Sequence, residues 1–465
     1  MTILQAAEAL RSGQVSSLEL TSESLRHIAK LNPIMSMFIT VLEEAARVDA
    51  SQADKELAAG VDRGPLHGIP VAVKDVFHMK GVCTTGGSKL FSQYVPNYNA
   101  TVVEKLREAG AVIVGKTNMH ELALGTTSDN PHYGAVRNPW DLDRIPGGSS
   151  GGSASAVGAH VVFMATGTDT GGSIRIPASY CGNIGLKPTF GRISRYGILP
   201  LDFSLDHVGI LTRTARDAAV TLNALAGFDS RDDTSSPKTV EDYSIPLEAM
   251  IRGVRVGWPE NLNSEGVDNE VARAVRRMAK TAEALGAEII PLTVPDYAAM
   301  NAIHRIILHS EASALMQPYL EQRDKFSRDL LALFQQGCLL LATDYINAQR
   351  LRRLMMQEFS KVFERVECLI TPTTPSAASR KGESTALIGG KERDVRLAAT
   401  SLVRPANLLG LPALSMPCGF NGDGLPLGLQ IIGRPFEEKM ILPFAAALED
   451  ATDFHKVVPA VVDKT

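Results

Sequence analysis

Residues 146–177 read PGGSSGGSASAVGAHVVFMATGTDTGGSIRIP, and this stretch constrains both the fold and the chemistry of the chain. Two glycine-flanked serine clusters, at residues 147–153 and 171–173, enclose a helix of small residues and an apolar strand. A flexible Gly/Ser linker is one interpretation of the first cluster, but the segment after it is too apolar for a linker. A phosphate-binding loop is a second interpretation, and it is disfavoured because the GxxxxGK[ST] pattern is missing from the stretch.

The first cluster also matches G-x-S-x-G, the strained serine turn of α/β-hydrolases. That turn needs a strand leading into the serine, whereas Pro139 and Pro146 interrupt the approach here. Asp206 and His207 form the nearby acid–histidine pair that could complete such a site. A Ser-His-Asp triad is therefore disfavoured.

Outward from this stretch, apolar strands alternate with amphipathic helices. Residues 69–76 (IPVAVKDV) predict a strand buried on both faces, followed by a helix over 101–109 and a strand over 111–114. The alternation returns with predicted strands over 254–258 and 288–291 around a helix over 268–285. This pattern predicts an α/β fold, a single α/β/α domain with a large mixed, mostly parallel twisted sheet covered by helices on both faces.

Two local signals add detail near the chain ends. Ser16 and Glu19 have the spacing of a capping box, and the helix that they open is expected to stop before Pro33. Residues 414–417 and 427–432 predict two strands around a glycine-rich turn, which favours an antiparallel pair.

Composition narrows the class of protein. The 465 residues carry a formal net charge of −4 with 45% apolar and 21% charged residues, so no strong basic field for nucleic acid or anionic membrane is expected. The beginning of the chain has no secretory-signal pattern and no apolar run reaches the length of a membrane span, so a cytoplasmic protein is expected. Five widely spaced cysteines favour free thiols and neither disulfides nor zinc: Cys83, Cys181, Cys338, Cys368 and Cys418.

Four blocks carry a resemblance to a known family: GIPVAVKDVF at 68–77, PGGSSGGSASAV at 146–157, residues 167–197, and LPALSMPCGF at 411–420. Through them the chain resembles the amidase signature family over nearly its whole length. The resemblance implies one domain over residues 1–465, with a signature core at about 65–200 and a variable substrate-pocket region at about 298–400. It also implies a Ser–cis-Ser–Lys triad with Ser173 as nucleophile, Ser149 as the cis-peptide serine and Lys74 as the lysine.

Residue chemistry supports this triad. A serine hydroxyl attacks well only when a base takes its proton, and none of the ten histidines lies inside the four blocks. Lys74 lies in an aliphatic strand, where desolvation disfavours its charged form. We expect a neutral Lys74 to take the proton of Ser173 through the hydroxyl of Ser149; the alternative for Lys74 alone is a strand-end lysine paired with a surface acid.

Other residues follow from the same blocks. Backbone N–H groups of a glycine turn can converge on a developing oxyanion, which predicts an oxyanion hole at Thr170, Gly171, Gly172 and Ser173. Supporting roles around the triad are predicted for Ser150, Asp169 and Arg175. The expected substrate-binding residues are Met119, Thr126, Tyr133, Arg192, Tyr196 and Ile198.

The triad implies a hydrolase that cleaves carbonyl C–N bonds through an acyl-enzyme, without metal or organic cofactor. We expect a stand-alone amidase for small or aryl amides, with carbamates (urethanes) as a further substrate class. Its expected partners are then a small-molecule substrate, with no nucleic acid and no membrane, in a monomer or homodimer.

Two alternatives stay open. One is the A subunit of a glutamyl-tRNA(Gln)/aspartyl-tRNA(Asn) amidotransferase, which would release ammonia from glutamine. Three features favour the stand-alone enzyme: Ile176 stands where A subunits usually have Gln, residues 310–353 lack their GVRYG-type and RxxLGTY-type motifs, and residues 201–209 read LDFSLDHVG where A subunits have an LDQIG form. The other alternative is a catalytically silent binding protein of the same fold.

Overall fold

The structure is a computed structural model that describes residues 1–244 and 251–462. Its strands are β1 Phe38–Val41, β2 Pro70–Lys74, β3 Val112–Thr117, β4 Asp129–Asn130, β5 Gly134–Ala135, β6 Met164–Asp169, β7 Ile184–Lys187, β8 His207–Thr212, β9 Arg255–Pro259, β10 Glu288–Leu292, β11 Cys368–Pro372, β12 Thr385–Ile388, β13 Lys391–Asp394, β14 Ala413–Phe420 and β15 Pro426–Gly433. Its α-helices are α1 Ile3–Arg11, α2 Ser17–Met35, α3 Glu43–Ala58, α4 Thr101–Glu108, α5 Gly151–Gly158, α6 Arg175–Cys181, α7 Ala215–Leu225, α8 Glu260–Ser264, α9 Asn269–Ala284, α10 Tyr297–Met316, α11 Arg328–Gly337, α12 Ala342–Val362, α13 Val395–Thr400, α14 Arg404–Leu408 and α15 Glu438–Asp450.

One large sheet organises the described chain. Eleven strands pair in the order β1-β3-β2-β6-β8-β7-β14-β15-β11-β9-β10. Four of the ten pairings are parallel (β2–β3, β2–β6, β9–β10 and β9–β11) and six are antiparallel. The predicted mixed sheet is confirmed, but its balance differs from the mostly parallel one expected: parallel pairs lie towards the two flanks, where the sequence alternates strand and helix, and the centre is antiparallel.

Alternating side chains of β2 show how the two faces of the sheet are covered. Val71 and Val73 belong to one apolar core, which includes residues of α4 and α7. Ala72, which points to the other face, belongs to a second core with residues of α2, α3 and α5. Helices therefore cover both faces, and the predicted single α/β domain is confirmed.

Helix α2 differs from its expected end. The predicted capping box is present, since the backbone N–H of Glu19 donates to Ser16 Oγ at 3.1 Å and that of Ser16 donates to Glu19 Oε2 at 2.7 Å. The predicted stop before Pro33 is wrong, because the helix includes Pro33 and runs to Met35. A proline so near the C-terminal end removes only one backbone hydrogen bond, and the left-handed Ser36 (φ 49°) then ends the helix.

The predicted antiparallel pair near the end of the chain is confirmed as β14 and β15. Their register pairs Leu414 with Ile431 and Ser415 with Gln430. Strand β7 pairs with β14 and so joins this antiparallel pair to the centre of the sheet. Across the described part of the chain, none of the helices has the length and hydropathy to cross a membrane.

Glu449 makes the stability of this fold depend on pH. Its carboxyl accepts the backbone N–H of Ala215 at 3.1 Å, and burial raises its pKa from an ordinary 4.5 to about 8. The folded state thus binds the proton more tightly, so stability present below about pH 4.5 is lost as the pH rises through about 8.

We expect Glu449→Gln, which keeps an acceptor but cannot ionise, to remove about 4 kcal/mol of that loss between pH 5 and 9. Urea unfolding midpoints at pH 5, 7 and 9 measure the effect. Glu437→Gln, at the exposed residue before α15, is the matched control. Its unfolding stability should depend on pH as that of the wild type does. An unchanged pH dependence in Glu449→Gln would contradict the prediction.

Candidate active site

Lys74 ends strand β2 in the interior of the domain. Its side chain is fully buried, and its Nζ lies 2.7 Å from Ser149 Oγ and 2.8 Å from Thr168 Oγ1. Its backbone N–H donates to Thr166 Oγ1 at 3.2 Å, which ties the end of β2 to the neighbouring β6. The structure therefore brings Lys74 and Ser149, 75 residues apart in sequence, into direct contact.

The surroundings of Lys74 favour its neutral form. Burial lowers the pKa of its amine to about 7, against the opposing effects of Asp206 and Asp169. Among the described residues Lys74 takes part in no ion pair, so the alternative of a lysine paired with a surface acid does not hold. Near neutral pH the amine is therefore uncharged in part of the molecules and then has a lone pair that can accept a proton.

Ser149 lies on a tightly packed loop. The peptide bond between Gly148 and Ser149 is cis, and a Cβ on Gly148 would lie 3.0 Å from the carbonyl carbon of Thr126. The carbonyl of Ser149 accepts the backbone N–H of His120 at 3.0 Å. Glycine at position 148 is what allows the loop of Thr126 to approach the backbone so closely.

Ser173 lies in the turn between β6 and α6. Its carbonyl accepts the backbone N–H of Ser150 at 3.2 Å, so the two serine clusters touch through their backbones. Its side chain is only 8% exposed, and its hydroxyl has no hydrogen-bond partner within residues 1–244 and 251–462. The hydroxyl is thus not engaged by another described group, and the turn that carries it contacts the residue after Ser149.

The turn amides differ from the predicted oxyanion hole at one position. Gly172 (φ 114°) donates its N–H to Asp169 Oδ1 at 2.7 Å, so this amide is occupied and Gly172 is not an oxyanion donor in this structure. The amides of Gly171 and Ser173 donate to no group in the described parts of the chain. Those two amides remain candidates to stabilise a developing negative charge, and Thr170, the fourth predicted residue, stays a prediction.

A buried ion pair holds this turn. Arg175 Nε and Nη2 each lie 3.0 Å from one carboxylate oxygen of Asp169, and both side chains are fully buried. The same guanidinium donates to the carbonyl of Val403, to Gln430 Oε1 and to Asn407 Oδ1. Although burial alone would raise it, the pKa of Asp169 stays below its ordinary value because of the charge and hydrogen bonds of Arg175. Ser150, the other predicted supporting residue, donates its hydroxyl to the Thr168 carbonyl at 3.3 Å.

The predicted substrate-binding residues lie in different places. Thr126 packs against Gly148 beside Ser149, and its buried hydroxyl has no hydrogen-bond partner in the described chain. Tyr133 lies near Asp75, and burial raises the pKa of its phenol. Met119 and Ile198 are core residues, 0% and 9% exposed.

Two of these predicted residues contact other parts of the chain. Arg192 donates to the carbonyls of Lys238 and Thr239, and its guanidinium lies over the ring of Phe436. The ring of Tyr196 is covered by the guanidinium of Arg231, 4.5 Å from its centroid. The structure therefore brings Thr126 to the triad but engages Arg192 and Tyr196 away from it.

Sequence reasoning missed Thr166, Thr168 and His304, which contact Lys74 or the turn beside Ser173. Thr166 and Thr168 alternate on β6 and both contact Lys74, a period-two signal that the sequence does contain. Thr170 donates its hydroxyl to Asp206 Oδ1 at 2.5 Å, and its carbonyl lies 2.8 Å from His304 Nε2. His207 instead contacts the carbonyl of Leu205, so Asp206 and His207 build no triad with Ser149.

Within the described residues, no group of three His, Cys, Asp or Glu side chains could hold a metal ion. The structure places a buried lysine in contact with the cis-peptide serine of the first cluster, as the predicted triad requires. A family model described as Amidase matches residues 19–442, and the chain belongs to that family. Members of this class act on C–N bonds.

Curated relatives and solved structures refine the comparison. The chain is 41% identical to the glutamyl-tRNA(Gln) amidotransferase A subunit of Coxiella burnetii (strain Dugway 5J108-111), over 98% of this chain and 99% of that protein. It is 41% identical to the protein of the same name from Geobacter metallireducens, over 98% of each. Two solved structures are similar: a vestigial complex linked to the origins of an s-triazine catabolic enzyme (TM-score 0.93, 35% identity, 97% of this chain and 98% of that chain) and the glutamyl-tRNA(Gln) amidotransferase A subunit of Thermotoga maritima (TM-score 0.82, 33%, 97% and 95%).

These relatives correct two predictions. The preference for a stand-alone amidase or urethanase over an amidotransferase A subunit is wrong, because end-to-end relatives at 41% identity are A subunits. Ile176, one of the features behind that preference, is fully buried beside Gly172 and Val403, so it reflects packing under the turn and says little about substrate. The predicted partners, a small molecule alone with no nucleic acid, are contradicted by the same relatives, which are subunits of an enzyme named for glutamyl-tRNA.

Proposed function

We propose that this chain is the glutamine-hydrolysing A subunit of a glutamyl-tRNA amidotransferase. The observation that carries the proposal is its similarity to such subunits along nearly the full length of both chains. The solved complex at TM-score 0.93 further supports a chain that works with partner subunits. A near-neutral chain fits this role, since other subunits can supply the surface that contacts RNA.

The proposed reaction begins at Ser173. Its hydroxyl oxygen attacks the side-chain carbonyl carbon of glutamine while its proton passes to Ser149 Oγ, whose own proton passes to the neutral amine of Lys74. The amides of Gly171 and Ser173 stabilise the oxyanion. The proton then returns along the same relay to the leaving nitrogen, which departs as ammonia, and water hydrolyses the acyl-enzyme by the same steps.

Residues about 298–400 are proposed to shape the substrate pocket. Helix α10 places His304 against the carbonyl of Thr170, directly beside the candidate oxyanion amides. Burial and the charge of Arg404 lower the pKa of His304 to about 3, so this histidine is a neutral wall of the site. The pocket is therefore formed jointly by the glycine turn and the later helices.

The test uses the tagged full chain isolated from its own source cells. We expect it to co-purify with other subunits, and the complex to release ammonia from glutamine faster when glutamyl-tRNA(Gln) is present. The same preparation is offered a p-nitroanilide and an aryl carbamate. Turnover of either by the lone chain with a higher kcat/KM than glutamine would contradict the proposal.

The proposed base predicts a pH profile for the same complex. Since burial lowers the pKa of Lys74 to about 7, kcat/KM for glutamine should rise with pH below 7 and level above about 8. His120 and His304 do not titrate in this window, because burial lowers their pKa values to about 4 and about 3. Initial rates of ammonia release from pH 5.5 to 9 measure the profile. A flat profile between pH 6 and 8 would argue against Lys74 as the base.

A further inference from the structure

Two buried carboxyl groups meet beside the loop of residues 201–206, which supports the turn that carries Ser173. The backbone N–H of Ser204 donates both to Asp202 Oδ1 at 3.0 Å and to Glu311 Oε2 at 2.9 Å, and both acidic side chains are buried. Two oxygens that accept the same N–H at these lengths lie within about 4 Å of each other. Asp202 of the loop and Glu311 of helix α10 therefore form an acid pair that joins the two elements.

The acid pair has no counter-ion in contact with it. Within residues 1–244 and 251–462, neither acid forms an ion pair. Arg352 of α12 interacts with both charges at longer range, and its guanidinium donates to Ser204 and to the carbonyl of Leu408. Two neighbouring buried carboxyl groups cannot both ionise at a low cost, so the geometry favours one proton shared between Asp202 and Glu311.

Hydrogen bonding indicates which acid carries the proton. Glu311 Oε1 accepts the hydroxyl of Ser204 at 2.7 Å and the phenol of Tyr345 at 2.8 Å, and both bonds stabilise a carboxylate at Glu311. Asp202 Oδ2 is buried without a hydrogen-bond partner among the described residues. Burial, a hydrogen bond with Glu311 and the charges of Glu311 and Asp206 raise the pKa of Asp202 well above its ordinary value. The proton therefore resides mainly on Asp202.

The other titratable groups around the pair do not replace this proton. Asp206 is a further acid of the loop, and burial raises its pKa as well. Arg195 donates to the carbonyls of Phe203 and Asp206. His207 is neutral, because burial lowers its pKa well below its ordinary value, and burial raises the pKa of Tyr345 to about 12. Three carboxylates would thus face two guanidinium groups once the shared proton is lost.

The acid pair reaches the candidate active site through Asp206. Asp206 Oδ2 accepts the backbone N–H groups of Leu201 and Asp202 at 2.9 and 3.0 Å. Its other carboxylate oxygen, Oδ1, accepts the hydroxyl of Thr170 at 2.5 Å. A shift of the 201–206 loop away from α10 would therefore displace Thr170, the residue directly before the glycine turn.

We propose that Asp202 and Glu311 share one proton that holds the 201–206 loop to α10, and that loss of this proton as the pH rises loosens the turn that carries Ser173. Both acids are positioning residues, since they act through Asp206 and Thr170 and not on the reacting atoms. The proposal goes beyond the proposed function, because it concerns the turn whichever amide is cleaved.

The direction of the pH effect follows from linkage. The pKa of Asp202 is raised in the folded chain, so the stability that the pair contributes is fully present below the ordinary pKa of 3.8. That stability is lost as the pH rises through the pKa of the folded state. An amide at either position cannot ionise and should remove this dependence.

Infrared titration of the full chain tests the shared proton, since a protonated carboxyl and a carboxylate absorb at different frequencies. At pH 7 the difference between the wild type and Asp202→Asn should contain one protonated-carboxyl band, which disappears as the pH is raised. In Glu311→Gln, which keeps an acceptor for Ser204 and Tyr345, the band should disappear at a lower pH because the like charge is gone. An isolated buried acid would not respond to this second variant.

Hydrogen exchange of the same chains, corrected for its intrinsic pH dependence, tests the effect on the turn. From pH 6 up to the infrared midpoint, opening of segments 201–206 and 167–176 should rise about tenfold per pH unit in the wild type and then level. Opening should vary far less with pH in Asp202→Asn. Glu449→Gln is the matched control, since it removes another buried carboxyl of raised pKa, beside Ala215, and should keep the rise of the wild type.

Two results would overturn the inference: no protonated-carboxyl band that separates the wild type from Asp202→Asn at pH 7, or an opening of segment 167–176 with the same pH dependence in both chains. The proposed function can fail separately. If the band and the pH-dependent opening are found but the native complex releases no ammonia from glutamine, the acid pair stands and the glutaminase assignment falls. If ammonia is released and the band is missing, the glutaminase assignment stands and the acid pair falls.

Discussion

The Lys74→Met variant is expected to lose about 10²- to 10⁴-fold in kcat for glutamine, the range that general acid–base catalysis contributes. Methionine fills similar volume but cannot accept the proton that Ser149 relays from Ser173. The native amine is buried with only hydroxyl oxygens of Ser149 and Thr168 as side-chain partners. Because its desolvation is itself unfavourable, the free energy of unfolding should stay the same or rise in the variant.

Ammonia release by the native complex measures this effect, and a thermal melt of the same preparation measures stability. Lys105→Met is the matched control, since Lys105 is half-buried and donates to the carbonyls of Leu225 and Ala226, away from both serine clusters. The control should keep its kcat. Near-normal turnover by Lys74→Met at pH 7 would remove lysine from the mechanism.

Much of the fold was accessible from the sequence because its signals are local. The apolar strand at 69–76, the helix at 268–285 and the hairpin near 420 follow from side-chain periodicity and turn residues, and each has its counterpart in β2, α9 and β14–β15. The antiparallel centre of the sheet was not accessible. Strand order there places β7 beside β14, more than 200 residues later in the chain, and no local pattern encodes that pairing.

The residues of the candidate site were likewise predictable only where a local sequence pattern marks them. Lys74, Ser149 and Ser173 stand inside recognisable blocks, whereas His304, Asn407 and Arg404 reach the turn only because α10 and α14 fold back onto it. Their neighbours along the chain are ordinary and do not indicate that contact. The reverse error occurred for Arg192, which belongs to a block but uses its guanidinium to bind the carbonyls of residues 238 and 239.

Substrate class was misjudged because it was inferred from short motifs. The LDFSLDHVG stretch contributes Asp206, which accepts the hydroxyl of Thr170 and so supports the turn. Asp206 therefore has a structural role in the turn, and the sequence around it does not indicate which amide is cleaved. Similarity along the whole chain averages over such positions and separates the alternatives better than single motifs.

The Arg175→Met variant is expected to lose about 3–5 kcal/mol of unfolding free energy, because it leaves the carboxylate of Asp169 buried without its counter-charge. Asp169 also accepts the backbone N–H groups of Gly172 and Ile174, so its displacement would move the turn that carries Ser173. A loss of kcat should therefore accompany the loss of stability. Urea unfolding and ammonia release measure the two effects.

Arg396→Met is the matched control, since Arg396 pairs with Asp329 at 2.8 Å on the surface, where an ion pair contributes about 0–1 kcal/mol. The double variant Arg175→Met/Asp169→Asn separates charge from position: it removes the buried carboxylate charge while an amide oxygen can still accept the N–H of Gly172. Stability should recover in part, because the uncompensated charge is gone. Turnover should stay low, because α14 has still lost the guanidinium that ties the carbonyl of Val403 to the turn. Full recovery of turnover would mean that Arg175 acts only by neutralising Asp169. The hydrogen bond from Arg175 to the carbonyl of Val403, which positions α14, would then not matter for catalysis.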